Sequence, residues 1–428
     1  MKVLEELLNI LKILMVSESK YDWIVVGGGV SGITISEILT REGNSVLLLE
    51  KNEKLASETS KDFHEWVHSG ALYTLIPDKL LTLRYLLGAT DDLIEYYSCF
   101  PRMNMAPTDS GIKVTDNGWF NNEMIEFRYK SHKFNPLWLC TVSRSTAIID
   151  LIKQHDWLRR RAGSEYGSSK VKFSDNFVNI KKQLLNNDTF FSVESPDFTM
   201  NSRNLLSDIL MASEKNGIDI QTNSEVEYIK DSNSFVEVGV NDKVYKSEKI
   251  VITSPDAISK FNSIPIKKGF APMAIVKNVP TEEKSFVELD YYPSKCINLL
   301  KKQNGIGQAG GITLNNENKI NDYLKYVFSE HQKRNPSIKL IDTYVGLKKE
   351  LVNQGQQRNY LYHINQNSSN VWSVVLGKFT LAFSMAPEFY RRIYNKNPSK
   401  LVKFEGKNNQ HEYLSDTTWQ EIAKINRS

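Results

Sequence analysis

The chain alternates between short runs of consecutive apolar residues and longer stretches where apolar side chains recur every three or four positions. Trp23–Val26 and Val46–Leu49 are runs of the first kind, dense enough for strands buried on both faces. Between them Ile33, Ile35, Ile38 and Leu39 have helical spacing, and Gly43 suits the end of that helix. Residues 76–98 predict a second helix, with Leu80, Leu81, Leu83, Leu86 and Leu87 as its apolar side. From 100 to 140 aromatic and turn residues alternate as in short antiparallel strands, for example Met124–Tyr129, and a helix follows around Ser145–His155. Asn201–Lys215 is a helix closed by Gly217, with strands at 218–222, 225–230, 234–240 and 249–253 after it.

Residues 268–314 again alternate like a sheet, Gly305, Gly307, Gly310 and Gly311 marking a turn or close backbone approach. Lys319–Gln332 is helical and 339–346 extended. Val371–Leu376 is an apolar strand that runs through Gly377-Lys378-Phe379-Thr380 into a helix to about Ile393, and Thr417–Ile425 predicts a last short helix. Parallel-type strands therefore occur early, midway and late, separated by antiparallel-type material. This pattern predicts an α/β protein whose Rossmann-like parallel-sheet domain is discontinuous (20–75, 196–256 and 340–395). An antiparallel cap is inserted in it (76–195 and 257–339), and a polar tail spans 396–428.

The chemistry concentrates where the first strand meets the first helix. Gly27-x-Gly29-x-x-Gly32 follows the strand directly, and Glu50 ends the next strand. Gly27 allows the tight turn, Gly29 admits a pyrophosphate to the backbone, and Gly32 lets the helix pack close. The amides of Val30 and Ser31 head the helix, where the macrodipole favours anions. Glu50 can accept from both hydroxyls of an adenosine ribose and would repel a 2′-phosphate, which disfavours NADP; Lys51 adjoins it. The alternative is a glycine-rich turn with no ligand.

Composition adds limits more than assignments. The 428 residues, 40% hydrophobic and 24% charged, suit one large or two ordinary globular domains. A net charge of +4 gives no argument for nucleic acid. Cys99, Cys140 and Cys296 are scattered, which suggests neither zinc nor disulfides and fits a reducing cytoplasm. No segment is apolar and long enough to span a bilayer. In residues 1–19 the polar side chains Lys2, Glu5, Glu6, Asn9 and Lys12 share one helical stripe opposite a wide aliphatic face. Three readings stay open: a helix docked on its own domain or a partner protein, a peripheral membrane-surface anchor, or an upstream start with Met15 as the first residue.

Four stretches, in order, carry a resemblance over roughly residues 20–395. They are the βαβ unit, Thr59-Ser60-x7-His68-Ser69-Gly70, the 201–229 helix-and-strand pattern, and SVVLGKFTLAFSMA near 373–386. Together they resemble the FAD-dependent D-amino-acid oxidase superfamily, on the side of flavin-linked glycerol-3-phosphate dehydrogenases and L-2-hydroxyglutarate oxidases. The resemblance implies bound FAD and hydride removal from a polar small molecule at a CH–OH carbon, with an unspecified electron acceptor. Its alternatives are CH–NH oxidation, as in amino-acid and amine oxidases, or flavin binding without turnover.

It further implies that Thr59 and Ser60 face the pyrophosphate, and that Gly377, Lys378, Phe379 and Thr380 present amides and a charge to the flavin. His68, Lys348 and Lys378 then become the catalytic candidates. His68 orients the ring or substrate, is linked covalently to the flavin, or is a core histidine; His64 four residues earlier shares its face without suggesting a metal. Tyr73, Tyr291 and Tyr292 are cap contacts or aromatic packing. The departures bear on substrate. Leu72 stands where the glycerol-phosphate branch has arginine, and Gly346-Leu347-Lys348-Lys349 replaces GLRP, so a rigid fork becomes an ammonium. Thr253-Ser254-Pro255 replaces ATG, and Leu376 the first glycine of GGK.

Overall fold

The computed structural model describes residues 20–70, 72–73, 81–108, 111–131, 181–185, 188–289, 295–352, 358–402 and 410–426. The expected helices within 1–19 and Ser145–His155, together with Cys140, Tyr291 and Tyr292, lie outside these residues.

Five parallel strands form the centre of an eight-stranded sheet, in the order Asp219–Gln221, Val46–Leu49, Lys20–Val26, Lys243–Ile252 and Val371–Leu376. Consecutive side chains on a strand point to opposite faces, and both faces are covered. Trp23, Val25, Val46 and Leu48 enter a core shared with the helices Val30–Arg41, Leu81–Tyr97, Ser202–Lys215 and Ala382–Tyr394. Ile24, Val26, Leu47 and Leu49 enter a second core beneath the hairpin of Val226–Asp231 and Val236–Val240 and the helix Pro255–Asn262. Two-sided burial is why these strands read as unbroken apolar runs.

Gly32 sets the depth at which the first helix lies: a Cβ there would come 1.9 Å from the Gly27 carbonyl oxygen. That helix is enclosed so fully that Glu37 is buried as well. Arg41, one turn on, satisfies it through two nitrogen–oxygen contacts of 2.8 and 2.6 Å.

The nine-stranded second sheet runs Lys339–Leu351, Ile266–Lys277, Gly307–Gly311, Ile297–Lys301, Phe286–Leu289, Phe120–Ser131, Asp188–Met200 and Trp66–Val67, with Lys181–Leu185 beside Asp188–Met200. It is antiparallel except where Phe286–Leu289 meets Phe120–Ser131 in parallel, and the helix Ile320–Arg334 packs on it through Tyr323 and Val327. Lys339–Leu351, which the sequence groups with the dinucleotide-binding segments, pairs in this sheet from Ile266↔Leu351 to Lys277↔Lys339. Trp66–Val67 joins the sheet's far end, opposite Thr199 and Phe198. Alternation reveals a strand but not which of two sheets receives it, and these two strands carry the chain from one sheet to the other. The helix Thr418–Ile425 lies beside Lys339–Leu351 and Ile266–Lys277, its start fixed by a capping box between Thr417 and Gln420.

Candidate active site

A cleft of about 1620 Å³, counting the solvent at its mouth, is lined by both sheets' residues. At its outer end are the loop and the acid that the sequence singles out. Gly27 makes the turn at φ +107°, a left-handed conformation open to glycine. A Cβ on Gly29 would meet Ser60 Oγ at 3.3 Å and no other atom within 4 Å, which leaves an open cradle above the backbone. Ser60 Oγ accepts from Val30 N at 3.0 Å, so this hydroxyl sits at the head of the helix where a phosphate oxygen would be received. Ser31 is buried beside it. Glu50, also buried, accepts from Gly28 N at 2.7 Å and Asn52 N at 2.9 Å. Each carboxylate oxygen thus keeps acceptor capacity for a ribose hydroxyl. Burial pushes its carboxyl above the usual range, against those two N–H bonds.

Lys51 pairs with Glu58 at 2.7 Å, and Lys349 from the second sheet reaches both Glu58 and Asp256. These four charges border the cleft and join the two sheets' segments across it. Thr59 donates to Leu347 O at 2.9 Å. Its hydroxyl therefore ties the loop to a cap strand.

The inner end gathers cations. Lys378 Nζ lies 5.0 Å from the Tyr73 ring centre and 4.9 Å from that of Tyr360. The Arg358 guanidinium stands 5.0 Å from the Tyr360 ring and forks onto Glu350 through Nε–Oε2 at 2.8 Å and Nη2–Oε1. Burial holds the Lys378 ammonium well below its ordinary range, reinforced by Lys348 and Arg358. Burial likewise lowers Lys348 to about 8, with Arg358 adding to the shift and Glu350 opposing it. Both lysines keep part of their surface toward the cleft, so water there moderates these shifts.

His68 lies tilted by 31° against Trp66, ring centres 4.1 Å apart, and its Nδ1 stands 3.8 Å from Asp197 Oδ1. Burial, Lys378, Lys348 and His64 hold its imidazole well below the usual range, so it is neutral at pH 7. Burial, Lys348, Lys302 and Lys378 do the same to His64. Asp197, absent from the sequence reading, accepts from Trp66 Nε1 at 2.9 Å, Ser69 N at 3.0 Å, Ser69 Oγ at 2.7 Å and Ser195 Oγ.

The structure brings Gly27, Gly29, Val30, Ser31, Glu50, Lys51, Thr59, Ser60, His68, Lys348, Gly377, Lys378 and Phe379 to one cleft. Gly32 and Thr380 lie behind it. Thr380 Oγ1 accepts from His68 N at 3.1 Å and faces the Trp66 carbonyl at 3.4 Å, which makes it a tie between chain segments. The Gly377 amide is engaged by Leu361 O at 2.9 Å, and a Cβ there would lie 2.6 Å from that oxygen. The amides heading the next turn are consequently those of Lys378, Phe379 and Thr380. Phe379 stacks on Phe63 with centres 4.1 Å apart. Leu72 packs against the main core and Tyr73 against Tyr360 and His68.

Missed by the sequence reading were Glu350, Arg358, Tyr360 and Asp197. Glu350 lies two residues from Lys348 on one strand, so period-two alternation was the available signal for it. Three residues of the cleft lining also carry a buried polar atom without a hydrogen-bond partner: Ser57 Oγ, His64 Nε2 and His68 Nδ1. The Gly29 cradle and the Glu50 acceptors fit an elongated polar ligand that carries a pyrophosphate.

The family model described as DAO, FAD dependent oxidoreductase, matches residues 22–266. Among solved structures the fold is similar to dithionite-reduced L-alpha-glycerophosphate oxidase from Mycoplasma pneumoniae with FAD bound. That similarity has a TM-score of 0.63 at 15% identity and covers 94% of this chain and 100% of that one. L-amino acid deaminase from Proteus myxofaciens in complex with anthranilate gives 0.63 at 13% identity, covering 89% and 91%. Glycine oxidase from Geobacillus kaustophilus gives 0.63 at 10%, covering 90% and 100%. A curated relative, UDP-galactopyranose mutase from Mycoplasma pneumoniae, is 42% identical over 59 residues, 12% of this chain and 15% of that protein. No helix among the described residues is long and apolar enough to cross a membrane.

Proposed function

The chain belongs to the DAO family of FAD-dependent oxidoreductases, and from that premise we propose that it oxidises a small anionic substrate at a CH–OH carbon. A hydroxy acid or a phosphorylated polyol is the class meant. FAD, which the Gly29 cradle, the Ser31 amide, Ser60 and Glu50 would hold, would supply the hydride acceptor. The observation that carries the reading is the charge at the inner end. Lys348 and Lys378 converge there with Arg358 behind them, while Glu350 is bound to Arg358 and Asp197 to Ser69, Ser195 and Trp66. An anion is welcome in such a site. Among the described residues the ammonium of an amino acid finds there only carboxylates that already hold a partner, Glu350 and Asp197.

Lys348 and Lys378 hold the substrate's carboxylate or phosphate. Neutral His68 takes the hydroxyl proton at Nε2 while Nδ1 faces Asp197. Phe63, Phe379 and Tyr360 keep water away from the reacting carbon. The second reading is CH–NH oxidation, favoured by Lys348, whose pKa of about 8 suits it to draw a proton from a substrate ammonium.

Anaerobic titration of the flavin band with pairs of hydroxy and amino acids of one carbon skeleton separates the two readings. Bleaching by the hydroxy member, or by glycerol phosphate against glycerol, is expected; bleaching by the amino member alone overturns the CH–OH assignment. In the same assay Lys378→Met is expected to slow reduction roughly 10- to 100-fold, the value of one charge-assisted bond. FAD content should stay unchanged. An equal rate in the variant would remove Lys378 from the reaction.

A further inference from the structure

The segment Ser60–His64 carries the phosphate-end serine and one of the two neutral histidines, yet it belongs to no helix or strand. Its five consecutive carbonyls are each taken by a donor from a different, distant place. Ser60 O accepts from Arg203 Nη2 at 2.7 Å, Lys61 O from Thr418 N at 3.3 Å and Asp62 O from Tyr344 OH at 3.3 Å. Phe63 O accepts from Gln308 Nε2 at 3.2 Å and His64 O from Lys302 Nζ at 3.2 Å.

Glu65, next in line, is a non-glycine residue at φ 56° and is buried, a conformation held against its own preference by its surroundings. Its carboxylate takes Lys302 Nζ at 2.8 Å, Ser202 Oγ at 2.6 Å and Trp419 Nε1 at 2.7 Å. The Thr418 hydroxyl reaches Asp62 Oδ1 at 2.5 Å, and Arg203 also donates to Ser415 O at 3.0 Å. A loop without a ladder of its own thus has its shape imposed by both sheets' domains and by the 410–426 segment.

We propose that residues 410–426, acting through Thr418 and Trp419 on Asp62 and Glu65, are a positioning element of the FAD site. They set the Ser60–His64 loop against the cofactor. Trp419 is the principal positioning residue: its indole both donates to Glu65 and covers Lys302, whose Nζ lies 5.5 Å from the ring centre. The inference rests on FAD as the ligand of the cleft. Its effect falls on the bound state, because the loop's other partners remain while the position of Ser60 and His64 against the cofactor changes.

The test is the release of FAD from Thr418→Val/Trp419→Phe holoenzyme, followed by flavin fluorescence after dilution. The double variant keeps the helix's bulk and backbone bonds and removes the hydroxyl and indole donors. Release at least 10-fold faster than wild type is expected, with the melting temperature of the FAD-free protein unchanged. Thr418→Ser with Trp419 intact should restore the wild-type rate. Release within twofold of wild type overturns the proposal. So does faster release accompanied by an equally lowered melting temperature of the FAD-free protein, since that describes a merely structural contact. Wild-type protein that neither carries nor takes up FAD would instead overturn the cofactor assignment beneath it.

Discussion

Gly32→Val is expected to give a protein that loses both its fold stability and its FAD, whereas Gly29→Val gives a folded protein without FAD. The two glycines stand three residues apart in one motif but face different things. A Cβ on Gly32 would lie 1.9 Å from Gly27 O and 3.0 Å from Thr253 Oγ1, so the helix would have to lift from the sheet. Backbone cannot yield as a side chain can, and overpacking of this kind costs about 3 kcal/mol. A Cβ on Gly29 meets Ser60 Oγ alone, at 3.3 Å, and occupies the space the pyrophosphate needs. Thermal denaturation of each FAD-free variant, with flavin absorbance of the purified proteins, checks the pair. A Gly29→Val protein that stays yellow would show that the phosphates lie elsewhere.

The second large effect is expected at Lys348, in opposite directions for stability and for activity. Its folded pKa of about 8 lies below the unfolded value of about 10.4. Below pH 8 the lysine is charged in both states, and the folded state bears the cost of desolvation. Between pH 8 and about 10.4 the unfolded chain holds the proton that the folded chain has released, so stability rises with pH across that window. Discounted for the side chain's partial exposure to the cleft, the gain is on the order of 1–2 kcal/mol. Lys348→Met should therefore raise the stability of the FAD-free protein at pH 7 by a similar amount and flatten the rise above pH 8.

The same variant should lower kcat/KM roughly 10- to 100-fold through loss of an anion partner. Wild-type affinity for an anionic substrate should fall as pH passes about 8, where the positive charge is lost. Urea denaturation at pH 7 and pH 9.5, together with the pH profile of kcat/KM, checks both signs. A destabilised Lys348→Met protein would contradict the burial argument.

The dinucleotide end was legible in the sequence because its constraints are local. Three glycines at fixed spacing and an acid closing the second strand leave few other structures for that stretch. The inner end was legible only in its lysines. Arg358 and Glu350 form their fork from the end of one strand and the chain beyond it, and Asp197 reaches His68 from a strand more than a hundred residues away. Such partnerships exist only once sheet pairing is set. The hydroxyls show the same dependence. Where the Thr59 and Thr380 side chains point is decided by tertiary neighbours, Leu347 O for the one and the 66–68 backbone for the other. The short helix at Thr418–Ile425 was predicted within one residue of its start. Its docking was not, because its side-chain partners Asp62 and Glu65 lie more than three hundred residues away.

The strand Lys339–Leu351 makes the site depend on parity. Lys348 and Lys349 are sequence neighbours, so they leave the strand on opposite faces: one serves the reacting end, and the other joins Glu58 and Asp256 at the mouth. Upstream, Ile341 is an extra residue in the pairing, between Leu340↔Val276 and Asp342↔Ile275. Adding or deleting one residue between this bulge and Lys348 would turn each lysine to the other face of the strand while leaving the composition almost untouched. The site thus constrains the number of residues before Lys348 as strictly as it constrains the residue itself.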